Sequence, residues 1–138
     1  MQVKIDTREK FTVITPDTSH LSDNLTAELC SLISTYQQND IKNVVLNLKH
    51  VSAVDDMAAE RLAKLQQQWY ESNASFVICE IQNEVEKKFE DLELADLMNI
   101  TPTESEAWDI VQMEEIEREL MDSDDILFND MNEEDDKD

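Results

Sequence analysis

The sequence contains no glycine, and only two prolines and two cysteines, in 138 residues. Each scarcity removes a class of function. The glycine-rich phosphate loops of nucleotide-binding proteins need a residue without a side chain where the backbone closes on phosphate, so neither common kind exists here. Cys30 and Cys79 stand alone in apolar segments without metal-ligand spacing. They read as reduced core residues of a cytoplasmic protein. Basic residues are also scarce, 11 against 33 acidic ones, for a formal net charge of −22. Nucleic acids and anionic membranes both require a basic footprint, which this chain lacks. Its natural partners are proteins with basic surfaces. No apolar run approaches the ~20 residues of a membrane span, and Met-Gln-Val-Lys-Ile-Asp does not read as a signal peptide. No direct membrane insertion is expected.

What is present is a core-forming chain with charge gathered at one end. Hydrophobic residues make up 41%, enough for one packed domain of ordinary size. Residues 114–138 hold 13 acidic residues and two basic ones, Arg118 and Lys137, so that stretch carries −11 and the first 113 residues carry the other −11. The expected division is a folded domain over 1–121 and an acidic, disordered tail over 122–138.

Within the domain, alternation predicts strands at Gln2–Ile5 and Lys10–Thr15, joined by a turn at Asp6–Glu9 and closed by Pro16. A helix follows from Ser22 or Asp23, with Leu25, Leu29, Leu32, Ile33 and Tyr36 on one face. Asn43–Leu48 and Ser75–Ile81 are short and rich in β-branched residues, which suits inner strands. Helices are predicted over Asp56–Ser72, over Glu84–Leu92 and from Thr103 onward, where Thr103 and Glu106 have capping-box spacing. Leu97–Ile100 reads as a weaker edge strand. The order predicts an α/β fold, a mixed sheet of four or five strands with helices mainly on one face.

The best candidate site is the strand-to-helix junction at His50–Leu62. Asp55 and Asp56 are adjacent there, where helix amides are unpaired and the dipole favours negative charge, so capping is their plain structural role. As a catalytic acid–base pair they fail, because adjacent residues at a helix start point in different directions. Met57 is read either as core or as an exposed contact able to adapt to a partner. His20 and His50 are read as loop residues without the spacing of a metal site. No serine or cysteine has a base visible beside it. Catalysis, metal and cofactor are therefore not expected.

This junction, with the element order, resembles the STAS domain family, which includes bacterial anti-sigma-factor antagonists. The similarity covers about residues 1–115. It rests on Asn43–Leu48, on Val51-Ser52-Ala53-Val54-Asp55, and on Phe76–Cys79, Val85, Phe89, Leu92, Leu94 and Leu97. The regulatory branch of that family carries Asp-Ser-Ser-Gly at the junction, and a partner kinase phosphorylates the second serine to break the complex. Here Asp55 matches the aspartate, Asp56 stands at the first serine, Met57 at the phosphoacceptor and Ala58 at the glycine. The resemblance implies the fold and a protein-binding role without that covalent switch. Asp56 then reads as a permanent charge imitating the phosphorylated state.

The partner-binding set is thus Asp55, Asp56, Met57 and Ala58, with Arg61 one turn further on. Ser52 is an alternative phosphosite, against the plainer reading of a loop hydroxyl bonded to backbone. In the tail, Ile126, Leu127, Phe128 and Met131 form an apolar island among carboxylates, which suits a short docking motif. The expected partner is an anti-sigma factor, a kinase-like protein or another regulator with a basic surface. Two alternatives stand beside this: an accessory subunit of a transporter, since STAS modules also serve there, and an acidic mimic of nucleic acid.

Overall fold

The computed structural model describes residues 2–122. The elements run β1 (Val3–Thr7), β2 (Thr12–Pro16), β3 (His20–Leu21), α1 (Asp23–Ser34), β4 (Val44–Asn47), β5 (Ala53–Val54), α2 (Asp56–Glu71), β6 (Phe76–Cys79), α3 (Asn83–Asp91), β7 (Ile100–Thr101) and α4 (Glu104–Asp122). The main sheet has five strands in the order β1-β2-β4-β6-β7. β1 is antiparallel to β2, and every other pairing in that sheet is parallel. β3 and β5 form a separate parallel pair. The fold is the mixed α/β arrangement that the element order predicts.

Every residue of β2, β4 and β6 is buried. Strands apolar on both faces need a layer of structure on each. On one face Ile14, Val44, Leu46 and Ile78 pack with Leu29 and Ile33 of α1, Leu62 and Trp69 of α2, and Val85 and Phe89 of α3. On the other, Val13, Val45, Val77 and Cys79 pack with Ala107 and Val111 of α4. Trp108 adds to this second layer, its ring centroid 5.0 Å from that of Phe11. Among the described residues no helix is long and apolar enough to cross a membrane.

Polar clamps fix α4 at both ends. Near its start, the Glu104 amide donates to Glu80 Oε2 and Asn47 Nδ2 donates to Glu104 Oε1, each at 3.3 Å. Further along, Asn43 Nδ2 donates to Glu115 at 2.7 Å, and Arg118 donates to the Ser75 hydroxyl at 3.1 Å. The Thr103 hydroxyl accepts the Glu106 amide at 3.1 Å, as the capping-box spacing requires.

The closing strand lies later than the sequence suggests. Ala95–Leu97 is a 3-10 turn, and only Ile100 and Thr101 pair with β6. Gln66 of α2 occupies the space where a longer strand would bond. Its Nε2 donates to the carbonyls of Phe76 and Asn99, at 3.0 and 2.9 Å, and its Oε1 accepts the Asn99 amide at 3.0 Å. A side chain thereby satisfies edge groups that a ladder would otherwise serve.

The lack of glycine has a structural consequence. Asn73, Glu80 and Glu93 hold positive φ, at 61°, 56° and 59°. Asn73 and Glu93 terminate α2 and α3 by the same device: the amide of the next residue reaches back five positions, Ala74 to Trp69 and Leu94 to Phe89, at 3.2 and 2.8 Å. Asn tolerates this left-handed conformation; Glu pays roughly 1–2 kcal/mol for it. Glu93→Gly is therefore expected to stabilise the fold by about 0.5–1 kcal/mol after glycine's own entropy cost is counted. Thermal unfolding checks this, and a lowered midpoint would refute it.

Both cysteines are unpaired. Burial pushes the Cys30 thiol up to about 11 and the Cys79 thiol up to about 12. The folded state holds these protons more tightly than the unfolded chain does. Their contribution to stability is thus constant below the ordinary thiol range and falls as pH rises through it. At pH 8, a disulfide reagent should label both cysteines at least tenfold more slowly in the native protein than in denaturant.

Candidate functional site

The parallel strands β2, β4 and β6 end along one edge of the sheet, the edge where open α/β folds place their binding sites. From there the chain enters β3, β5 with α2, and α3. Ser19, just before β3, straps the junction. Its carbonyl accepts the amides of Ser52 and Ala53, at 2.8 and 3.1 Å, and the Ser52 hydroxyl at 3.1 Å. The Leu21 carbonyl then accepts the Asp55 amide at 3.0 Å. The start of α2 is held by a segment more than thirty residues earlier in the chain.

The two carboxylates diverge. Asp55 occupies the N-cap position of α2, yet its side chain makes no capping bond. It turns instead to His20, with Nε2 2.6 Å from Asp55 Oδ1. A carboxylate only accepts, so the ring nitrogen carries the proton in this contact. Asp56 turns the other way and accepts from Lys88 Nζ of α3 at 2.6 Å. The hydrogen bond to Asp56 holds the Lys88 ammonium above its ordinary range. The plain capping role is thus replaced by two cross-element contacts, and the pair does not converge on a common point.

Met57, the next residue, is 56% exposed, so of its two readings the structure takes the exposed one. Ala58 is fully buried in the core beneath the turn. It supports the surface rather than forming part of it. Arg61 donates from Nε to Asp23 Oδ1 at 2.5 Å and from Nη2 to Oδ2 at 3.5 Å, joining α2 to α1. Ser52 is exposed, with its hydroxyl on the Ser19 carbonyl. Among the described residues no group of three or more His, Cys, Asp or Glu could hold a metal ion. Ile126, Leu127, Phe128 and Met131 lie outside the described residues.

His20 and Lys88 complete the junction, and sequence reading did not place them there. No local pattern announces either contact, since both span more than thirty residues.

The family model described as the STAS domain matches residues 2–107. The chain belongs to the STAS domain family. Similar solved structures agree on the fold. A putative anti-sigma factor antagonist from Thermotoga maritima superposes with a TM-score of 0.71 at 15% identity, covering 80% of this chain and 94% of that one. The Bacillus cell fate determinant SpoIIAA, in its phosphorylated form, gives 0.59 at 18% identity over 80% and 99%. The murine Solute Carrier 26 family member A9 anion transporter gives 0.59 at 16% identity, with 75% of this STAS chain matching 18% of the transporter. A search of curated protein sequences found no match.

The Arg61 guanidinium holds the Asp23 carboxyl below the usual carboxylate range. The pair's contribution to stability is therefore present above the ordinary Asp value and lost as pH falls through the depressed one. In Arg61→Gln, the Asp23 carboxyl should titrate at a higher pH than in wild type, as followed by its side-chain carbon resonance. An unchanged midpoint would mean that the α1–α2 contact does not persist in solution.

Proposed function

We propose that this STAS domain is a non-enzymatic, cytoplasmic protein-binding regulator of the anti-sigma-factor-antagonist type, with the start of α2 as its docking surface. The observation that carries the reading is the exposure of Met57 at the position where the family places its phosphoacceptor. Methionine has no hydroxyl to phosphorylate, and its flexible thioether adapts to an apolar pocket. The partner is an anti-sigma factor, a kinase-like protein or another regulator with a basic surface.

Asp56 does not substitute for a phosphate on this reading. Lys88 is bonded to it and offsets its charge, whereas a phosphoserine would add about −1.5 to −2. The exposed centre of the surface is the apolar Met57 side chain, which cannot be switched by phosphorylation and so suits continuous binding of a partner. The acidic segment over 122–138, with Ile126, Leu127, Phe128 and Met131, serves as a second docking element. The transporter-accessory reading keeps one specific support, the similarity to a domain of an anion transporter.

Affinity capture from native lysate, comparing the full chain with a version ending at Met121, separates these roles. Recovery of an anti-sigma factor supports the first reading, and recovery of a transport protein supports the second. Equal capture by the truncated version rules out the tail as a docking element. Against the recovered partner, Met57→Glu and Asp56→Asn should each change affinity about tenfold. Thermal stability should hardly move, because Met57 is exposed and the Asp56–Lys88 pair is solvated. Parallel losses of affinity and stability would assign these residues to the fold alone.

A further inference from the structure

α4 has two apolar faces, and the sheet covers one. Ala107 and Val111 pack on the strands. At roughly 100° per residue, Met113, Ile116 and Leu120 fall on the opposite side. They are 55%, 56% and 53% exposed. Met113 also lines a groove of about 790 Å³ that runs between α2 and α4, past the sheet edge that Gln66 closes. Tyr70 and Leu97 line the same groove and are 69% and 79% exposed. The groove's lining does not include Asp55, Asp56 or Met57, so it is a different surface from the junction.

Charge decides what can cover it. Glu60, Glu114 and Glu117 line the groove, and among the described residues Lys64 is its single basic lining side chain. A second copy of the chain would bring this acidic rim against itself. The segment 123–138, with eight acidic residues and one basic, meets the same repulsion. An amphipathic helix with Lys or Arg beside its apolar stripe meets neither obstacle. Its stripe matches the i, i+3, i+7 spacing of Met113, Ile116 and Leu120, and its cations face the glutamates. We propose that the α2–α4 groove and the outer face of α4 dock a basic amphipathic helix of another protein.

The test titrates the isotope-labelled full-length chain with two synthetic 18-residue helical peptides of identical leucine stripe, at physiological salt. One peptide carries lysine flanks and the other glutamate flanks. The lysine peptide should bind and shift the amide resonances of Tyr70, Leu97, Met113 and Ile116; the glutamate peptide should not bind. The double variant Leu97→Asn with Met113→Gln keeps the net charge and should weaken binding at least tenfold. Tyr70→Gln provides an independent variant, and unchanged thermal unfolding of each confirms that the fold is intact. Equal binding by wild type and folded variants would reduce the effect to non-specific attraction of a cation and overturn the proposal. So would shifts confined to other surfaces, or no binding of either peptide. A wild-type dimer that the double variant abolishes in sedimentation would assign the face to a second copy. Shifts at these residues on removing 122–138 would assign it to the chain's own tail. Either outcome overturns the proposal.

Discussion

The central strand of this molecule has no exposed residue. All four residues of β4 are buried, and those of β6 beside it are buried as well. A sheet apolar on both faces is stable only if both are covered, and each fully buried valine contributes about 1.5–3 kcal/mol to that end. α1, α2 and α3 cover one face, and among the described helices α4 covers the other. α4 is therefore part of the fold's foundation and not an appendage. Its clamps to Glu80 and Asn47 near one end, and to Asn43 and Ser75 further along, set its height and direction over Val45 and Val77. The position of its outward stripe of Met113, Ile116 and Leu120 follows from the same constraint.

The parallel strands also decide where the junction can be. Because β2, β4 and β6 run the same way, the segments that follow them share one edge, and bonds between those segments build a surface. Ser19 binds the junction backbone, His20 takes Asp55, and Lys88 takes Asp56. Each contact joins different connections, so Met57 is presented on a frame held from two sides. A surface held in this way gives up little conformational freedom when a partner docks.

Much of this was legible in the sequence. The long elements announce themselves, since the stripe from Leu25 to Tyr36 and the run Val44–Leu48 each have one reading that buries them. The junction was legible too, because a strand, a turn with two carboxylates and a helix follow in order. The rest depends on contacts that no local pattern encodes. β3 and β5 are two residues each, too short for any period. The capping reading of Asp55 gave way because the fold brings His20 within reach. Arg61 was placed in the sequence only as a member of the partner-binding set, and its bond to Asp23 exists because α1 packs on α2. Gln66 was not singled out in the sequence, and its side chain takes hydrogen bonds of Phe76 and Asn99 beside β7. Three left-handed residues were hidden because glycine, their usual marker, is absent.

The junction's electrostatics favour one of two opposed regulatory logics. A phosphate at the start of a helix would gain from the dipole and stand as a dense negative charge at the interface. A surface imitating that state needs an unopposed anion, and Asp56, which stands beside the switch position, is paired with Lys88. Asp55 is bonded to His20 and Asp56 is paired with Lys88, and Met57, the next residue, exposes its thioether. Burying the Met57 thioether in an apolar pocket strips water from no charged group of that side chain. On the proposed reading, control of such a surface comes from the abundance of partners or from a second contact, because the junction itself has no hydroxyl at the switch position to be modified.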